Sequence, residues 1–307
     1  MCEEQHKRST IKTEIHEGGG KMLKAQEIDR FLAKAQRPSD DALRMHGFYR
    51  GKIETAPKCC VRDIDDFAIW YTPGVAVPCN EIVAHPERVY DYTNKWNTVA
   101  VVSDGSRVLG LGDIGPKAAL PVMEGKVLLY KYLGGVDGFP ICLDTKDPDK
   151  LIETVLFLQP SFGGINLEDI SQPKCFYILD TLRAEAEIPV WHDDQQGTAT
   201  VTLAGLMNAL KVVGKKKEDV RIVFVGAGAS NVACSRLAFR WGIDPAKAMV
   251  VDSKGILGKG REDLYIRRDE FIDKWHLCQI TNAEGLRGGI PEALRGADAV
   301  VALSHPG

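Results

Sequence analysis

Two pairs of adjacent acids, Glu168-Asp169 and Asp193-Asp194, each close a short apolar run. At the C-terminal ends of two strands in a parallel sheet, both pairs would project from one sheet edge, where such sheets bind ligands. Three carboxylates gathered there make a hard-oxygen site suited to Mg²⁺ or Mn²⁺. Each pair taken alone is more simply a helix cap, because aspartate accepts from the free N–H groups of a first turn.

A second chemical signal lies further on. VRIVFVGAGASN has the order of a strand, a glycine turn and a helix start. Gly226 permits the tight turn, and Gly228 lets the backbone approach a pyrophosphate at the helix N-terminus. Asn231 stands where the usual third glycine would pack helix against sheet, a departure that weakens the motif without removing phosphate binding. A following strand over 248–251 ends in Asp252, about where a ribose-binding acid belongs. The expected dinucleotide site is therefore Gly226, Ala227, Gly228, Ala229, Ser230 and Asp252. Asp252 favours a ribose 2′-hydroxyl and hence NAD, whereas Ser253 and Lys254 beside it suit a 2′-phosphate. NAD and NADP both stay open.

These residues need a scaffold in which strands alternate with helices. Apolar spacing predicts a short helix over 22–36, then a loop-rich stretch over 38–78. Strands are expected at 98–102, 140–144, 164–168, 189–192 and 221–225. Helices are expected at 125–133, 149–158, 174–185 and 198–213. Alternation of this kind implies an α/β fold with mainly parallel sheets. The division expected is a polar arm over 1–24, a catalytic domain over 25–200, and a Rossmann-like doubly wound domain over 201–307.

Bulk properties narrow the function classes. The 307 residues are 44% hydrophobic and 26% charged with a formal net charge of −3. That balance gives no electrostatic basis for a nucleic-acid or membrane-surface role. No apolar run reaches the roughly 18 residues of a membrane span, and the N-terminal segment lacks a signal-peptide core. Eight cysteines are scattered without a C-x-x-C pair. Adjacent Cys59-Cys60 has no second pair with which to hold a metal. Reduced thiols in a cytoplasmic protein are the expectation.

From His46 onward the chain resembles the malic enzyme family, especially its shorter bacterial and archaeal form. The resemblance rests on YTPGVA (71–76), SDGSRVLGLGDIG (103–115), PVMEGK (121–126), NLED (166–169) and WHDDQQGT (191–198), in the family's order and spacing. It implies oxidative decarboxylation of malate to pyruvate and carbon dioxide, with NAD or NADP and Mg²⁺ or Mn²⁺, in a homodimer or higher homo-oligomer. Residue by residue, it makes Lys126 the base that takes the C2 hydroxyl proton and a substrate contact. Tyr71 becomes the acid that protonates C3 of enolpyruvate, and Arg107 the grip on a substrate carboxylate. Glu168, Asp169 and Asp194 become metal ligands, and Asp193 a neighbour tuning Lys126. A lysine base needs burial or nearby cations to lower its pKa.

The family's dinucleotide domain continues past the point where ADAVVALSHPG stops, so a fragment or truncated product is expected. Two alternatives share the pattern. One is a malolactic enzyme, which keeps NAD bound and releases lactate; the other is a truncated subunit acting as a binding or regulatory partner. An amino-acid dehydrogenase with a Rossmann domain would not carry NLED and HDDQQGT together.

Overall fold

The computed structural model describes residues 25–304, so the expected polar arm over 1–24 lies outside the described residues. The described residues divide after Gly51 into two compact units. In the first, helix α1 spans Ala25–Tyr49 and runs straight through Pro38, where a loop was expected. After that proline, Ala42, Leu43, Arg44 and Met45 favour helix. Asp41 adds exposed ion pairs to Arg37 at 3.6 Å and Arg44 at 3.0 Å, at helical spacing.

The second unit contains two sheets. β1 (Thr98–Ser103), β2 (Asp137–Cys142), β3 (Gly164–Leu167) and β4 (Val190–His192) form an all-parallel sheet in the order β2-β1-β3-β4. β5 (Ile222–Val225), β6 (Met249–Asp252), β7 (Gly255–Ile256) and β8 (Ala299–Ala302) form the other, in the order β7-β6-β5-β8. There β5 is parallel to β6 and β8, and only the short β7 runs antiparallel. β3 and β5 are buried at every residue, as in strands covered on both faces; β5 is an unbroken apolar run, whereas β3 carries one polar residue, Asn166.

The helices of this unit include α2 (Gly115–Gly134), α3 (Pro148–Leu158), α4 (Lys174–Glu185), α5 (Thr198–Val213), α6 (Ala229–Trp241) and α7 (Ile272–Ile280). α4 and α5 have the bounds that sequence periodicity predicts. α2 begins well before the expected position 125. Pro116 occupies its first turn, where a missing N–H costs no helical bond, and the helix then continues through Pro121. One apolar core joins Val102 and Leu167 of the first sheet to Ile222 and Phe224 of the second, and Leu182, Leu210 and Val232 belong to the same cluster.

In each sheet the strand order reverses once, between β1 and β3 and between β5 and β8. Ligands of open α/β sheets bind at such crevices, beyond the carboxyl ends of the strands. Among the described residues, no helix is long and apolar enough to cross a membrane. The seven described cysteines are free, with Cys175, Cys234 and Cys278 buried.

Candidate active site

The first crevice carries the acids. Glu168 and Asp169 follow β3 directly, while Asp193 and Asp194 open a π-helical turn, Asp193–Gly197, after β4. Ligand oxygens of Glu168, Asp169 and Asp194 lie within 4.8 Å of one another. Asp169 has φ +56°, a left-handed conformation costing roughly 1–3 kcal/mol outside glycine. That backbone is held from both sides: its N–H donates to Asp194 Oδ2 at 2.9 Å, and its carbonyl accepts from the Arg107 N–H at 3.0 Å.

The capping alternative is not realised. Asp194 accepts across to the β3 loop, and neither the π turn nor α4 nor α5 has a side-chain cap at its start. Asp169 Oδ2 is instead buried without a hydrogen-bond partner. Burial, reinforced by neighbouring carboxylates, pushes Glu168 up to about 7 and Asp169 up to about 6, and raises Asp194 as well. An all-oxygen set with an orphaned buried oxygen and carboxylates that resist ionising together fits a divalent hard cation.

Lys126 reaches this trio from α2. Its Nζ lies 2.6 Å from Asp193 Oδ2 and 3.1 Å from Glu168 Oε1, with the side chain 20% exposed. Burial pulls the ammonium pKa down, but the Asp193 hydrogen bond and the Glu168 and Asp193 charges outweigh it and hold Lys126 above its ordinary value. A lysine poised low is therefore not what these carboxylates produce by themselves. The other Glu168 oxygen accepts from Asn166 Nδ2 at 2.8 Å, and Asn166 Oδ1 accepts from the Tyr130 hydroxyl at 2.8 Å. Fully buried His192 has no hydrogen-bond partner on either ring nitrogen, its Nδ1 lying 3.9 Å from Asp194 Oδ2, and burial lowers it to about 4. Asn166, Tyr130 and His192 were not singled out from sequence; the polar Asn166 inside an otherwise apolar strand was the one available signal.

Arg107, Glu168, Asp169 and Asp194 line one wall of a cleft of about 810 Å³, and the turn Gly226–Ser230 lines another. Arg107 donates from one guanidinium nitrogen to the Leu109 carbonyl at 2.8 Å. Its other donors make no side-chain bond among the described residues and are available for a carboxylate fork. Tyr71 is not among the cleft-lining residues; the residue is 71% exposed and makes no side-chain hydrogen bond among the described residues.

At the second crevice, Gly226 has φ +100°, and a Cβ there would sit 2.8 Å from the Leu303 carbonyl oxygen. Gly228 has open space before it, as close approach by a ligand demands. Asn231 in the third position is buried and donates from Nδ2 to the carbonyls of Val225 (2.8 Å) and Gly226 (3.0 Å). A hydrogen-bonded tie thus holds the turn that a packed glycine would otherwise secure. Asp252 also lines the cleft, but Arg261 forks its two oxygens at 2.9 and 3.0 Å and bonds Asp263 as well. Lys254 pairs with Asp263 at 3.2 Å and lines a different cavity.

The Asp252 and Arg261 side chains are only 10% and 13% exposed. Arg261→Ala should strand Asp252 in low dielectric and destabilise the protein by about 3 kcal/mol, read as a lowered urea midpoint at unchanged m. Arg261 also holds the Asp263 carboxyl well below the usual range, so the part of its contribution that comes through Asp263 is complete at neutral pH and fades as pH falls below about 4. A midpoint equal to that of the parent protein would show that the fork is not structural.

Comparison with known proteins bears on the chain as a whole. Residues 50–183 match the family "Malic enzyme, N-terminal domain", and residues 195–297 match "Malic enzyme, NAD binding domain". The chain is 49% identical over 272 residues to the NAD-dependent malic enzyme of Geobacillus stearothermophilus, covering 88% of this chain and 54% of that one. It is 46% identical over 269 residues to the bifunctional malic/malolactic enzyme of Bacillus subtilis (strain 168), covering 87% and 64%. It therefore spans less than two thirds of either relative. The solved structure of the NAD-dependent malic enzyme from Thermotoga maritima superposes with a TM-score of 0.80 at 46% identity, covering 86% of this chain and 69% of that one. The chain belongs to the malic enzyme family.

Proposed function

We propose that the protein oxidatively decarboxylates (S)-malate to pyruvate and carbon dioxide with reduction of NAD⁺ or NADP⁺, dependent on Mg²⁺ or Mn²⁺. The observation that carries this reading is the single cleft shared by the acid trio, Arg107 and the glycine turn, with Lys126 against Glu168 at its edge. When bound, the nicotinamide supplies the acceptor for the C2 hydride, and the divalent ion supplies Lewis-acid polarisation of the substrate's oxygens. Glu168, Asp169 and Asp194 would hold that ion.

The chain's own groups do the rest. Arg107 offers its free donors to a malate carboxylate and fixes the orientation of C2. Lys126 takes the C2 hydroxyl proton as the hydride leaves. For that it must first lose its own proton, which becomes easier once the negative charge of Glu168 is neutralised. Asp193 remains as the partner that aims the amine. Loss of the distal carboxyl as carbon dioxide leaves enolpyruvate, and Tyr71 is assigned the proton delivered to C3. Support for Tyr71 is its place in the YTPG block, not its position in the cleft.

Gly197 supports Asp193 sterically. A Cβ at Gly197 would collide with Asp193 Oδ1, the carboxylate whose other oxygen holds Lys126. Gly197→Ala should lower malate turnover by roughly tenfold or more, the scale of a misplaced base, with little change in thermal midpoint. Full turnover would mean that Asp193 does not position Lys126.

The reading is tested by supplying malate and Mn²⁺ with NAD⁺ or NADP⁺ and resolving the products. Pyruvate with free reduced nucleotide is expected. Lactate without free reduced nucleotide would favour the malolactic reaction, a reading that the Bacillus subtilis relative's name keeps in view. No malate consumption with either nucleotide would contradict both.

A further inference from the structure

Lys274 stands in the first turn of α7 and lines the cleft beside Asp252 and Ser253. It is half-buried, yet among the described residues its ammonium makes no ion pair and no hydrogen bond. Its contact is the Phe271 ring, 5.3 Å from Nζ to the centroid. Neighbouring cations are committed elsewhere. Arg261 is forked between Asp252 and Asp263, Lys254 faces Asp263, and Arg267 holds Glu270.

An unpaired, partly desolvated ammonium is costly, and burial lowers its pKa despite the nearby Asp252 and Asp263 charges, with Arg261 and Arg267 acting against them. Its place at the positive end of a helix dipole adds to the penalty. An anion bound in the cleft would relieve both. The acid that should repel such an anion is already compensated, because both Asp252 oxygens accept from Arg261. Ser253 is exposed at the same rim and offers a hydroxyl.

In a doubly wound domain, the residues around the acid at the end of the second strand meet the adenosine ribose, and a cation there accommodates a 2′-phosphate. We propose that Lys274 receives the 2′-phosphate of an NADP-type nucleotide and makes this cleft prefer it to NAD. The proposal rests on reading Gly226–Ser230 as a dinucleotide site.

Two probes that differ only in the 2′-phosphate test it without turnover: adenosine 2′,5′-bisphosphate and AMP, titrated calorimetrically into the protein. The unmodified protein should bind the bisphosphate about ten- to a hundredfold more tightly, as one charge-assisted contact allows. Lys274→Gln should bring the ratio near one, and Lys274→Arg should keep most of it. Equal binding by the unmodified protein, or a preference that survives Lys274→Gln, would overturn the assignment to Lys274 alone. Binding of neither probe would overturn the dinucleotide reading as well.

Discussion

Lys126→Ala should lower malate-dependent nucleotide reduction by about 10²–10⁴-fold, the range for removal of a positioned base. Its Nζ is fixed by two carboxylates, at 2.6 and 3.1 Å, so its position is built rather than sampled. The substitution also removes the counter-charge of Glu168, an acid already pushed up to about 7 by burial and its neighbours. Protein stability should therefore be followed in parallel by thermal unfolding. Tyr71→Phe separates the two proton transfers. It should slow the ketonisation of enolpyruvate while sparing more of the hydride step, which single-turnover measurement of reduced nucleotide would show. Near-parental turnover in Lys126→Ala would remove the assigned base.

Asp194→Asn should raise the Mn²⁺ concentration needed for half-maximal turnover by about ten- to a hundredfold, the loss of one charged oxygen contact. Excess Mn²⁺ should restore part of the activity. Asparagine can still accept from the Asp169 N–H, so the loop geometry should survive while the ligand charge is lost. It also caps helices about as well as aspartate. An unchanged metal requirement would return Asp194 to a structural role.

Much of this scaffold was legible because its strands are short apolar runs bounded by turns. Val99–Val102 and Ile222–Val225 are too short and too β-branched for helix, and both are strands. Where local signals conflicted, tertiary context prevailed. A helix was expected only from position 125, after a glycine-dense stretch with prolines at 116 and 121, yet α2 starts at Gly115. Pro38 likewise argued for a helix end inside α1.

At the site, the acid pairs could be placed on one sheet edge from their positions after strands. That Asp169 adopts a positive φ, or that the Asp193–Gly197 turn is π-helical, could not, since both follow from how two loops meet. The neutralising of Asp252 was also hidden: Arg261 reaches back to it from beyond β7, and no spacing rule links the two. Lys126 illustrates the limit most clearly. Sequence resemblance names the residue, but only the structure shows two carboxylates holding its proton in place.

The most direct test of the acid trio as a metal centre for malate is a Mn²⁺ titration, with free ion counted by electron paramagnetic resonance. One Mn²⁺ per chain should bind, malate should tighten that binding, as reciprocal coupling requires, and Glu168→Gln should weaken it. Binding that is absent, indifferent to malate, or unaffected by Glu168→Gln would contradict the account.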